Sequence, residues 1–368
     1  MKNFSMIFEC VQAFLSKDEI NSILEDLKYA ETSRKLDVQN LLNHWIAASM
    51  DGWRSFRDGE IRSKACDLNH VDFSTFSKKA KDVPFEFFKR AFSLILSKAN
   101  RTVRRSVASE TRKIIAVDST TMTFGKSKLP WAKYHGEKSG VKLHVHYDVA
   151  SGMPVKAEET TGLVHDGSVS KYDTFEGTVL VKDRAYTDIK VFDSHKSAKQ
   201  QFVTRLRNNS KFINKKSLQR MNSSDSSIYE DFTCILGTAQ NHSSERHRVV
   251  FFKEYSGKEI RVCTNMMDIS AEAIAEIYKA RWQIEVFFKW IKQNLNAKRV
   301  FGTTPNAVYG QLYSGLIAYL ILKIIHTFSL KRARITEYSF VDFYRNLASE
   351  NLCTEWVCLV YAFLRSPW

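Results

Sequence analysis

Two aspartates close short apolar, β-rich runs. Asp118 follows Ile-Ile-Ala-Val, and Asp183 follows Val-Leu-Val-Lys. A carboxylate at the end of a buried strand is held rigidly where solvent and ligand can reach it. Two such groups brought together repel, and a divalent cation between them removes the repulsion. A single strand-end aspartate serves equally well to cap the turn that follows. A third acid lies in a segment that reads as one long helix, capped by Ser270 and running to about Asn294. There Tyr278, Arg281, Glu285 and Lys292 are spaced by 3, 4 and 7 residues. At 100° per residue they fall within an arc of about 60°, along roughly 21 Å of helix. The neighbours Trp282, Ile284, Val286, Phe287, Phe288, Trp290 and Ile291 are apolar and predict burial of the rest of the helix. The same spacing also suits an i,i+4 salt-bridge face of Arg281 and Glu285 with Lys289. Taken together, Asp118, Asp183 and Glu285 suit two metal ions performing phosphoryl transfer on a nucleic acid. One ion would activate the attacking oxygen and the other would stabilise the leaving one. Arg281, Lys292 and Tyr278 would then grip phosphates.

These residues need elements to carry them. Residues 1–110 read as helical throughout: Ser16-Lys-Asp-Glu19 opens one helix with a cap and acidic first turn, and 37–48 and 84–97 are others. The character changes at residue 113. Strands are expected at 113–118, 141–148 and 154–160, then a short helix capped by Asp166. A strand at 178–181, a helix at 188–195 and a strand at 200–204 follow. That β-β-β-α-β-α-β order describes a mixed sheet with later crossover helices. Residues 208–264 are polar at first and then strand-like at 228–236, 247–253 and 260–263, which predicts a β insertion. The organisation expected is a helical domain (1–110), an α/β domain in two pieces (111–207 and 265–330), the insertion (208–264) and a C-terminal helical segment (331–368).

The chain has 368 residues, a formal charge of +15 and 44% hydrophobic residues, which excludes general disorder. The excess is uneven. Residues 1–70 are net −2, and residues 71–113 are net +7 with phenylalanines interleaved. That block suits a helical DNA-binding surface, with Arg104 and Arg105 among its cations. A solvated helix face over a core would look the same. Six scattered cysteines with no C-x-x-C pair read as reduced thiols and core filler. No secretory signal is read at the N-terminus. The most apolar stretch, 315–322, stops at Lys323, so a buried helix is expected rather than a membrane span. His144 and His146 read as neutral strand histidines near DNA or solvent, and Trp282 and Trp290 as core.

The motif Y-x2-R-x3-E-x6-K (Tyr278, Arg281, Glu285, Lys292) resembles the signature of the DDE transposases of the insertion-sequence-four family. Asp118 in Ala-Val-Asp-Ser-Thr and Asp183 in Lys-Asp-Arg-Ala-Tyr match it in order, and Lys142 and His165-Asp166 sit in similar surroundings. The resemblance covers about residues 110–330. It implies an α/β fold with a ribonuclease-H-like mixed sheet interrupted by a β-rich insertion, beside a helical N-terminal DNA-binding domain. It implies Asp118, Asp183 and Glu285 as catalytic ligands of two Mg²⁺ (or Mn²⁺) ions. It also implies DNA contacts from Tyr278, Arg281, Lys292, Arg184 and Lys142. The expected partners are double-stranded DNA, as terminal inverted repeats and target, and a second copy when DNA-bound, with no membrane and a bacterial cytoplasmic setting. The alternatives are another metal-dependent nuclease of that fold, or a non-catalytic DNA-binding descendant. Members that excise through a DNA hairpin hold a flipped base on an aromatic residue of the insertion. No tryptophan lies in 208–264, where Tyr229, Phe232, Phe251, Phe252 and Tyr255 are the aromatic candidates.

Overall fold

The computed structural model describes residues 3–104, 112–169, 171–218, 227–254, 256–334, 338–349 and 351–365. Arg105 and Tyr255 lie outside the described residues, as does the side chain of Arg104. The chain divides into two compact units. One comprises residues 1–108, 122–131 and 288–368, the other 109–121 and 132–287.

The first unit begins with six helices: α1 (Asn3–Phe14), α2 (Lys17–Asp26), α3 (Val38–Met50), α4 (Phe56–Arg62), α5 (Phe73–Asp82) and α6 (Phe85–Arg104). Ser16 and Glu19 form the expected capping box on α2, and Asp37 caps α3. Trp45, Phe56, Phe76 and Phe301 form an aromatic cluster with ring centroids 4.9–5.8 Å apart.

The second unit is built on one nine-stranded mixed sheet. Its strands are β1 (Lys113–Gly125), β2 (Lys138–Asp148), β3 (Met153–Thr161), β4 (Thr178–Lys182), β5 (Gln201–Arg205), β6 (Phe212–Ser217), β7 (Ile228–Gly237), β8 (His242–Lys253) and β9 (Glu259–Thr264). The order across the sheet is β3-β2-β1-β4-β5-β9-β8-β7-β6. β1, β4 and β5 are parallel neighbours, and β9 returns antiparallel on β5. Helix α7 (Ile189–Ser197), capped by Asp188, is the crossover between β4 and β5. The central strands are apolar on both faces. Ile115, Val117, Leu180 and Phe202 pack with Phe192 of α7. Val179, Val181 and Val203 pack with Ile274, Ala275 and Tyr278 of α8 (Ala271–Lys279). Residues 208–264 extend this same sheet. Arg248 on β8 is fully buried there; it pairs with Asp231 through two bonds (2.8 and 2.6 Å) and donates to the carbonyls of Met266 and Ile269.

The long helix expected from Ser270 is two. Ser270 caps α8 as anticipated, but α8 ends at Lys279 and α9 spans Trp282–Asn294. Between them Arg281, Gln283 and Ile284 donate to carbonyls three residues back, a tight local winding that re-aims the chain. The single polar stripe of the sequence reading is therefore broken at Ala280-Arg281.

The chain ends with α10 (Pro305–Ala333), α11 (Phe340–Ala348) and α12 (Thr354–Arg365), all in the first unit. α10 is long and apolar enough to cross a membrane, yet 94% of its apolar window is buried within the fold. It is the core helix of its unit and packs on α3, α5, α6 and α12. At Gly310 an added Cβ would meet the Phe88 ring of α6 at 3.0 Å, so any side chain there would need that ring to give way.

Candidate active site

The parallel register of β1 on β4 pairs Val117 with Lys182. One residue further along are Asp118, which lies within β1 rather than at the strand end expected for it, and Asp183, just past the end of β4; adjacent strands lie ~4.8 Å apart. Asp183 also sits at the start of the turn Arg184–Tyr186, and Arg205 at the end of β5 approaches it at 3.9 Å. The Tyr278 hydroxyl reaches Asp183 Oδ1 at 3.4 Å. Glu285 is in the first turn of α9.

Arg281 holds the cluster together. Its Nη1 donates to Asp118 Oδ2 at 3.1 Å, and its Nη2 bonds Glu285 Oε1. The guanidinium is only 12% exposed, and its pull on the two acids is strengthened by that burial. Even so, burial dominates Asp118 and pushes its carboxyl up to about 6, against the lowering effects of the Ser119 amide and Arg281; the charges of Asp183 and Glu285 add to the rise. The site is thus short of positive charge despite Arg281. Among the described residues no three or more His, Cys, Asp and Glu side chains are grouped closely enough to hold a metal ion. Asp118 and Glu285 are instead bridged by the Arg281 guanidinium, while Asp183 faces Tyr278 and Arg205.

A second layer supports Asp118. Ser119 donates to Asp166 Oδ1 at 2.7 Å, and Lys142 donates to the same oxygen and to the Val164 carbonyl, each at 2.8 Å. Burial raises the Asp166 carboxyl, but those two hydrogen bonds outweigh it and hold it below the usual range. Lys142, expected at the DNA, is buried and its ammonium is spent inside the fold. Tyr186 is a residue the spacing argument missed. Its ring is buried, and its hydroxyl has no hydrogen-bond partner among the described residues. Burial and the charges of Asp118, Asp166 and Asp183 hold the phenol strongly protonated, so it remains a donor. Its sequence signal was its place three residues after Asp183.

The other expected residues are distributed as follows. Arg184 is exposed directly after Asp183, with no carboxylate partner among the described residues. Tyr278 is buried and turned to Asp183. Lys292, in the last turn of α9, belongs to the other compact unit; it is half-buried, and burial followed by Lys298 lowers its pKa. Trp290 is buried as expected, whereas Trp282 is 62% exposed and Val286 is exposed beside it. The winding at 280–281 turns Ile284 and Phe287 to the core and leaves Trp282 and Val286 outward. His144 and His146 are neutral as expected but buried, not near solvent; desolvation lowers them to about 4 and about 3. Four cysteines are buried, while Cys353 and Cys358 are exposed.

Residues 109–321 match the family described as the transposase DDE domain. A Geobacillus stearothermophilus relative carrying a transposase name for insertion sequence element IS5377 is 44% identical over 97% of this chain and 94% of its own length. A Synechocystis relative carrying a transposase name for insertion sequence element IS4SA is 29% identical over 79% and 82% of the two chains. Among solved structures, a piggyBac transposase synaptic complex with hairpin DNA is 13% identical with a TM-score of 0.47, covering 97% of this chain and 80% of that one.

Proposed function

The chain belongs to the DDE transposases of insertion sequences, and on that premise we propose that Asp118, Asp183 and Glu285 are its catalytic carboxylates. It is a DNA transposase, an enzyme of DNA cleavage and strand transfer. The observation that carries the residue assignment is the register that puts Asp118 and Asp183 each one residue past the Val117–Lys182 pair, with Arg281 tying Glu285 to the first of them. The strand order 3-2-1-4-5 at one end of the sheet, with the acids on the central parallel pair, supports a ribonuclease-H-like catalytic fold.

The family uses divalent metal, and the donor chemistry fits. Three carboxylates are hard oxygen ligands, and Asp118 is left with an uncompensated desolvation cost that a cation would remove. Two Mg²⁺ (or Mn²⁺) ions held by Asp118, Asp183 and Glu285 would supply an activated hydroxyl and neutralise the leaving oxygen. The protein's own residues do the rest. Lys142 holds Asp166, which accepts from Ser119 and so steadies the stretch of β1 that carries Asp118. Tyr278 orients Asp183. Arg281, when released from the carboxylates, and exposed Arg184 are free to pair with phosphate oxygens, with Lys292 as a further cation for the backbone. The exposed Trp282 indole offers a stacking surface to a base. The substrates on this reading are the element's terminal inverted repeats and the target duplex, in bacterial cytoplasm, with a second copy joining when two ends are paired.

The test is cleavage of duplex DNA carrying the element's ends by purified protein with Mg²⁺. Glu285→Ala is expected to abolish nicking and joining while duplex binding survives. Cleavage that persists in that variant would refute the assignment.

A further inference from the structure

The first unit carries a 630 Å³ groove between α4 and α5. Its floor is aromatic, formed by the half-buried rings of Phe56 and Phe73. Its rim is cationic, formed by exposed Arg57, Lys78 and Lys81. No carboxylate pairs with any of the three among the described residues. Arg57 is fixed by its own neighbour: the guanidinium lies 4.9 Å from the centroid of the Phe73 ring. On α5 the polar lining residues are Ser74, Ser77, Lys78 and Lys81, at offsets 3, 4 and 7 from the first, so they form one face of the helix. The adjacent Lys79 is turned the other way and is consumed inside by Glu31 and Tyr29. The acid that begins α5, Asp72, is occupied as its cap and accepts from Ser74.

We infer that this groove grips the sugar-phosphate backbone of duplex DNA, and that it is the anchoring contact of the helical unit. The inference rests on the reading of the chain as a transposase and adds a second site to it. The charge is of one sign, the hydroxyl of Ser77 adds a neutral donor, and nothing in the lining matches a base edge better than a phosphate. The α5 face runs about 10 Å from Ser74 to Lys81, which covers about three phosphates of one strand along the duplex axis. The density of positive charge in residues 71–113 is thereby given an outlet. Of its lysines, those facing the groove are unpaired by carboxylates, whereas Lys79 and Lys98 are used by Glu31 and Glu19.

The experiment measures affinity of the full-length protein for a fluorescein-labelled duplex carrying the element's end, across a series of salt concentrations. Each phosphate contact contributes about 0.9 to the slope of log K against log salt. Replacing Arg57, Lys78 and Lys81 by Ala should lower the slope by about 2–3 and weaken binding at low salt by at least about tenfold. Replacing the exposed Lys17, Arg34 and Lys35 by Ala, the same change in net charge away from the groove, should leave the slope nearly unchanged. A groove variant with wild-type melting temperature and wild-type slope overturns the inference, and so does an equal fall in both variants. If the wild type binds the duplex and Glu285→Ala abolishes cleavage while the groove variant binds normally, only the groove fails. If the wild type binds no duplex at all, the transposase reading of the site fails with it.

Discussion

The sharpest consequence concerns Asp118 without metal. Its carboxyl is held at about 6 against an ordinary 3.8, chiefly by burial. An acid raised in the fold binds its proton more tightly folded than unfolded. The folded state is therefore penalised once the group must ionise: stability falls as pH rises from the unfolded value through the folded one, and the full penalty stands above it. At about 1.36 kcal/mol per pH unit, the penalty is about 3 kcal/mol at pH 8 and about half that at pH 5. Asp118→Asn removes the ionisation while keeping an oxygen for the Ser119 amide, whose bond to Asp118 is 2.8 Å. The variant should therefore melt above wild type in chelator at pH 8, by about 4 °C, and by markedly less at pH 5. Differential scanning calorimetry at the two pH values reads this directly. Adding Mg²⁺ should then raise the wild type more than the variant, because the variant lacks one of the proposed ligand carboxylates. A variant no more stable than wild type at pH 8, or one whose advantage grows as pH falls, would refute the claim that desolvation governs this acid.

Two further substitutions test the supporting structure. Lys142→Ala strips Asp166 of its cation in a largely buried setting and should cost about 3 kcal/mol of stability, measured by urea unfolding. The salt slope of DNA binding should stay at the wild-type value, whereas a fall of about 0.9 would make Lys142 a phosphate contact. Arg248→Ala leaves Asp231 charged and unpaired in the sheet and should cost about 3–5 kcal/mol. Combining it with Asp231→Leu should recover part of that loss, and a double variant as unstable as the sum of its singles would show the pair is not the source.

Much of this architecture was legible because it rests on local rules. The continuous apolar runs of β1 and β4 mark buried strands, and Asp183 follows the end of β4 as expected, whereas β1 runs on past Asp118 to Gly125 because Ser-Thr-Thr-Met-Thr-Phe continues the β-branched pattern. Ser16, Asp37, Asp188 and Ser270 mark helix starts because a short polar side chain satisfies free amides. β6 escaped notice because Phe-Ile-Asn-Lys-Lys-Ser is a polar edge strand, its lysines keeping an open edge soluble. Lys142 could not be read as an internal residue, since its partner Asp166 comes from a turn 24 positions later.

The break at Ala280-Arg281 was invisible for a different reason. Neither proline nor glycine announces it, and its neighbours are good helix formers. Yet it decides the electrostatics of the site. On one straight helix Tyr278, Arg281 and Glu285 would share a stripe facing an incoming anion. Across the break, Tyr278 turns to Asp183 while Arg281 spans Asp118 and Glu285. The positive charge that spacing assigned to substrate is thus held by the carboxylates. On the proposed reading Arg281 would pair with a phosphate only as those acids gain another cation, so DNA contact and metal occupancy would draw on the same guanidinium.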